Sequence, residues 1–241
     1  MNNFVKYALT SLIIATGMVI SAFAISKFYL KLEKAKEISV KGFSVQRVKS
    51  DIGNFTTKVS CSNQDLKKCY QILKEQTGEI EAYIKKQLSE PQVVFDNVDI
   101  NTVNKKDADG KETNELDYYV VHQEIKVEST EVEKIKTVSD GLNDFISKGF
   151  TVSIKGPFYY IRDLEKYKLE LIAKSTDNAY TRAVTMAKNS GGKVGNLSSA
   201  QQGIFQITAP NDSETSSEGM YDTRTIEKDI KCVVTLTYII E

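Results

Sequence analysis

Charge is missing from one long stretch at the start of this chain: residues 7–26 carry none, and Lys6 and Lys27 bracket them. Those 20 residues, at about 1.5 Å each, make a helix of roughly 30 Å, the thickness of a bilayer's hydrocarbon core. Beyond it the apolar spacing shortens. Ile38, Val40, Phe43 and Val45 come near alternation, which predicts a strand over 38–48 with Gly42 as a bulge. Lys49-Ser50-Asp51 turns the chain, and 51–61 runs back with Phe55, Thr57, Val59 and Cys61 on one face. Ser62 or Asn63 then caps a long helix. Its stripe Leu66, Tyr70, Leu73, Thr77, Ile80, Ile84 and Leu88 steps by three or four residues, and Pro91 closes it.

Strands over 93–103 and 116–127 follow, joined by the polar loop 104–110. In the second of them Tyr119, Val121, Ile125 and Val127 share a face. Val132, Ile135, Val138, Leu142 and Phe145 predict one helix over 131–148, with Gly141 as an unfavourable residue inside it and Gly149 ending it. A short strand at 150–154 and Gly156-Pro157 lead to a third helix over 163–190. Its Ala179, Ala183 and Ala187 recur every four positions, so a neighbouring element can approach closely, and Gly191-Gly192 stop it. Two strands, 194–208 and 225–240, are joined by a polar connection, 209–223, expected to be mobile. In the last strand Ile230, Cys232, Val234, Leu236, Tyr238 and Ile240 line one face, with Val233 and Ile239 on the other. Apolar cover on both sides predicts a central strand.

The order is ββαββ, then αβαββ. That is an α+β body, with antiparallel-rich sheets and long helices packed on them, preceded by one N-terminal transmembrane helix. Residues 1–36 read as a membrane anchor or signal segment with a juxtamembrane linker. Residues 37–241 read as one domain of two interleaved halves, about 37–128 and 129–241.

Composition narrows the partners. Lys plus Arg and Asp plus Glu both number 32, and the formal net charge is zero. No basic excess points to nucleic acid, and three prolines with no tryptophan exclude Pro-rich linkers. The body is long enough to bury a core without a disulfide or metal staple. Within the leader, Ala22-Phe23-Ala24 offers a small-x-small cleavage site. Against cleavage, the uncharged run continues through Ser26, and Phe28 and Tyr29 stand at interfacial depth. Lys27, Lys31, Lys34 and Lys36 outnumber Lys6, and by the positive-inside count they favour a cytoplasmic body.

Candidate chemistry is thin. His122, the only histidine, shares a strand face with Glu124 and Lys126 and is expected to point to solvent. A Ser-His-Asp or Cys-His arrangement would have to use it, and no strand-to-helix nucleophile turn stands nearby. Asp107 to Glu112 invites a calcium reading, but an EF-hand alignment puts Lys105 and Leu116 at ligand positions, so a solvated hairpin tip fits better. Gly191-Gly192-Lys193-Val194-Gly195 closes a helix, whereas a phosphate cradle opens one. Cys61, Cys69 and Cys232 leave three readings: buried thiols, one disulfide, or a reactive redox thiol. The pattern nominates no catalytic, cofactor-binding or metal-ligating residue.

One family pattern is recognisable. Ile38-Ser39-Val40-Lys41-Gly42 followed by Arg47-Val48-Lys49-Ser50-Asp51 resembles the "VKG…REVKAD" opening of SIMPL-domain proteins. The run from Phe158 through Leu164, then Ala187-Lys188-Asn189-Ser190-Gly191, Lys193-Val194-Gly195 and Gln202-Gly203-Ile204-Phe205-Gln206-Ile207 follow the family's order. Thr225-Ile226-Glu227-Lys228, with Val233 to Tyr238, resembles its terminal strand. The resemblance spans about residues 38–240. It implies an exported envelope protein, signal-cleaved or held in the inner (cytoplasmic) membrane by one helix through residues 7–26, with its body on the periplasmic or extracellular side. It brings no catalytic residues and suggests a second copy of the chain as partner. The expected protein is not an enzyme and acts by binding or self-assembly, with envelope or stress physiology as its setting. One rival is an exported thiol-redox protein or enzyme using Cys61 or Cys69, and another is a signal-cleaved soluble periplasmic protein. This chain departs from the family pattern in its cysteines and in its acidic 209–223 connection.

Overall fold

The computed structural model describes residues 3–33 and 36–241, and within the first stretch the side chains of Tyr7 and residues 11–27. Contacts divide the chain into two compact units: residues 1–44, 172–203 and 233–241, and residues 45–171 and 204–232.

The first unit begins with helix α1, Asn3–Glu33. Among the residues with described side chains no helix is both long and apolar enough to cross a membrane. Residues 8–10 of the expected span, like Phe28 and Tyr29, lie outside the described side chains. Strand β1, Glu37–Lys49, contributes its start to this unit. Helix α5, Leu164–Asn189, packs there through Ala179, Ala183 and Ala187, all buried. Gly42 explains how closely: a Cβ on it would lie 1.9 Å from the Ser175 carbonyl oxygen and 2.7 Å from the Ala179 Cβ. The glycine expected as a bulge is therefore a contact point between strand and helix. The Asn178 carboxamide oxygen accepts from the Phe43 N–H at 3.1 Å, tying the same two elements. Gly191, at φ +79°, ends α5, and the Gly192 N–H bonds back to the Ala187 carbonyl.

The second unit holds strand β2, Ile52–Asn63, between β5, Glu112–Ser129, and β6, Thr151–Tyr160, both antiparallel to it. Strands β3, Gln92–Phe95, and β4, Asp99–Lys106, also pair with β5. The strand expected over 93–103 is thus two strands, broken at Asp96, where the backbone N–H bonds the Glu124 carbonyl. Helix α2, Leu66–Gln87, buries Cys69, Leu73, Thr77, Ile80 and Ile84. Its cap is Asp65, not Ser62 or Asn63, and Tyr70 is exposed while Cys69 takes its place on the stripe. Phe55, Val59, Ile125 and Val127 face that stripe in one core cluster. The expected helix over 131–148 breaks into α3, Val132–Gly141, and α4, Asp144–Ser147. At Gly141 the Tyr83 hydroxyl stands 2.1 Å from where a Cβ would be.

Strands β7, Val194–Gln202, and β8, Gln206–Thr208, replace the single strand expected over 194–208, and both pair antiparallel with β10, Glu227–Ile240. A short β9, Met220–Tyr221, lies parallel to β8. Strand β10 runs between β1 on one side and β7 and β8 on the other, so it is central, as its two-sided apolar pattern requires. The result is an α+β fold with two antiparallel-rich sheets.

Candidate functional site

Alternation along β2 and β5 sends one set of side chains into the core and the other to the opposite sheet face. On that second face Ser60 of β2 stands opposite His122 of β5, and His122 stands opposite Asp99 of β4. The imidazole Nε2 lies 3.1 Å from Asp99 Oδ2, and the His122 side chain is only 15% exposed. His122 does share its face with Glu124 and Lys126, but it is tucked against a carboxylate instead of reaching into solvent. Serine, histidine and aspartate thus form a cross-strand row. Among the described residues no hydrogen bond joins Ser60 to His122. All three also lie in regular strand, where ladder pairing leaves no free pair of amides for an oxyanion. The row has a triad's residue types without its geometry. Nearby, Lys126 pairs with Asp96 at 2.7 Å beside a shallow groove of about 260 Å³ lined by Asn54, Thr56, Gln92 and Glu128.

A second polar cluster pins the 209–223 connection. Arg47 Nε donates to Asp229 Oδ1 at 2.8 Å and its Nη2 to Asn211 Oδ1 at 2.9 Å, while the Asn211 N–H donates to Asp229 Oδ2. The Arg47 guanidinium holds the Asp229 carboxyl below the usual carboxylate range, against an opposing effect of burial. Gln206 bonds the Ser216 backbone twice, donating to its carbonyl at 2.7 Å and accepting from its N–H at 3.2 Å. The connection expected to be mobile is held at both ends and in its middle.

Lys228, wholly buried, donates to the Thr225 carbonyl at 2.6 Å and lies 3.6 Å from Asp222 Oδ2. Burial pushes its amine below the ordinary lysine value, opposed by Asp222. A depressed lysine suits carbonyl chemistry, but this one is sealed in packing and serves as a strut for the Asp222–Thr225 turn.

The cysteines are buried: Cys61 and Cys69 in the core between β2 and α2, and Cys232 on β10. Burial, with the Cys69 contact second, pushes the Cys61 thiol up to about 12. A ready nucleophile needs the reverse shift. At the β4–β5 tip, Asp107 Oδ1 accepts from the Asp109 and Lys111 N–H groups, so the turn itself uses the oxygen that a calcium reading would need. Sequence reasoning missed Asp99, Arg47, Asp229 and Lys228 as paired groups. Asp99, Arg47 and Asp229 find partners far along the chain, and bulges shift the β4–β5 register between Val103 and Lys106, while Lys228 is paired locally through a turn that has no periodicity.

The SIMPL family, described as a protein of unknown function (DUF541), matches residues 38–238. The chain belongs to the SIMPL family. No curated protein matches. Among solved structures, "The crystal structure of a putative aminohydrolase from methicillin resistant Staphylococcus aureus" is 17% identical with a TM-score of 0.25, over 53% of this chain and 36% of that one. The chain thus spans about a third of that protein's length, and a likeness at this level carries no argument. For a SIMPL-family chain, the family's motif segments fall on structural parts: Gly42 at the strand–helix contact, Gly191 at a helix stop, and Lys228 as the buried strut.

Proposed function

We propose that this chain is a membrane-anchored, exported SIMPL-domain protein whose body works by binding or self-assembly. The observation that carries the reading is the character of α1. Leu12, Ile13, Ile14, Met18, Val19, Ile20, Phe23 and Ile25 are each 59–69% exposed, and their positions go around the whole helix. A helix that is apolar on every side needs an apolar surrounding, not one buried face. Its hydroxyls agree: Thr16 donates to the Leu12 and Ile13 carbonyls and Ser21 to the Met18 carbonyl, so neither asks for water. The partner of this segment is the lipid bilayer, through residues 7–26. We put the body outside the inner membrane because the resemblance of its motifs implies export, against the local lysine count. There, paired and part-buried polar faces suit recognition better than turnover.

Two measurements test this together. Alkaline phosphatase fused after residue 60 is expected to be active, and the native chain is expected to stay with membranes through carbonate washing. An inactive fusion of normal abundance would sink the export reading. A mature chain beginning after Ala24 and released without detergent would replace the anchor with a cleaved signal.

A further inference from the structure

The two cysteines nearest in sequence are brought together by the fold. Cys61 closes the inward face of β2, and Cys69 sits in the first turn of α2. They belong to one core cluster, 9% and 0% exposed, on the facing sides of the strand end and the helix start, and Cys69 is close enough to act with burial on the Cys61 thiol. The link between them is ordered. Asn63 Oδ1 accepts from the Asp65 N–H at 2.9 Å, and Asp65 Oδ1 accepts from the Lys68 N–H at 3.2 Å, which fixes how the helix leaves the strand. Two inward-facing thiols eight residues apart, on a strand end and the helix turn packed against it, are placed where a short turn of either side chain brings the sulfurs together. We propose that Cys61 and Cys69 are an oxidisable pair that closes into an intrachain disulfide joining the end of β2 to the first turn of α2, with Cys232 remaining a thiol.

The oxidant is a small-molecule or protein disulfide. One cysteine thiolate attacks it and releases the first thiolate, leaving a mixed disulfide. The second cysteine thiolate then attacks the protein-side sulfur and releases the other. Two protein thiols and one oxidant disulfide become one protein disulfide and two reduced thiols, so protons and electrons balance. Burial decides when this happens. With its thiol pushed up to about 12, Cys61 offers almost no thiolate in the folded chain. The bond closes while α2 is docking, or when its first turn opens, and packing then shields it from reductants. It acts as a staple, which distinguishes it from the exposed dithiol of a redox enzyme.

The inference rests on the export reading only for the oxidant a cell would supply, and the test separates the two. The full-length chain in detergent is unfolded with reductant, refolded in a glutathione–glutathione disulfide buffer, alkylated in denaturant and peptide-mapped. One alkylated cysteine, Cys232, is expected, together with a cross-linked Cys61–Cys69 peptide pair. Oxidation is expected to raise Tm by roughly 5–10 °C, in the parent and in Cys232→Ser but not in Cys61→Ser or Cys69→Ser. Three alkylated cysteines, or links to Cys232 in comparable yield, overturn the pairing. Should Cys61→Ser fail to fold, the maps of the parent and Cys232→Ser still decide. A chain that pairs on refolding yet leaves cells with three thiols counts against export and leaves the pairing standing.

Discussion

The two units solve the same packing problem, a helix against a sheet, with opposite materials. In the first, Gly42 faces Ser175 and Ala179, and Ala183 and Ala187 continue a seam where backbones meet almost directly. In the second, Phe55, Val59 and Ile125 interlock with Leu73, Ile80 and Ile84, so large side chains fill the space between the layers. The difference sets which mutations hurt. A seam of small residues has no room to receive atoms, and a core of large ones has no means to lose them.

The comparison breaks most sharply at Phe55. Phe55→Ala should cost about 3–5 kcal/mol by emptying space under α2, read as a lower denaturation midpoint. The mirror experiment is Gly42→Ala, whose added methyl would meet a backbone oxygen at 1.9 Å. Ala183→Leu, adding three carbons to a fully buried position, should likewise cost about 1–3 kcal/mol. Hydrogen exchange should lose protection along α5 in the seam variants and along α2 in Phe55→Ala. If Ala183→Leu melts like the parent, the seam has slack and the contrast fails.

What was legible in the sequence follows the same division. Local periodicity gave both helix faces: the alanines of α5 every four residues, and most of the α2 stripe. It erred at Tyr70, because positions 69 and 70 both lie near that face. A bulky ring with a hydroxyl goes to the rim, and the smaller Cys69 goes under. The helix expected over 131–148 breaks at Gly141, the one local warning in it, but no local pattern shows that the Tyr83 hydroxyl, 3.4 Å from the Val138 carbonyl, fills the space a Cβ would take there. The site residues were least legible. The pairing of Asp99 with His122 depends on two register shifts in β4–β5. Arg47 with Asp229 depends on strands 182 positions apart in the chain.

That Arg47–Asp229 pair sharpens the contrast electrostatically, because the second unit also packs a charge. The Asp229 carboxyl titrates below its unfolded value of about 3.9, so its contribution is present above pH 4. It is lost as pH falls through the lower folded value, since the unfolded chain then binds the proton first. Asp229→Asn should cost about 1–2 kcal/mol at pH 7 and flatten the acid limb of the stability profile below pH 4. An unchanged acid limb would mean that other carboxylates set it.

The smallest expected effect runs the other way. Thr57, on the inward face of β2 between Phe55 and Val59, is wholly buried, and its hydroxyl has no partner. It forgoes hydrogen bonds it had in the unfolded chain, while its methyl packs as valine's would. Thr57→Val keeps the branched shape and removes that orphan, so stability should rise by about 1 kcal/mol. The seam offers no such repair, because its weak points are contacts already too close to accept an atom. A rise in denaturation midpoint with unchanged slope would confirm that the large-residue core is limited by polarity and not by volume. A fall would mean that the hydroxyl is satisfied by water, which would place solvent inside the core between β2 and α2.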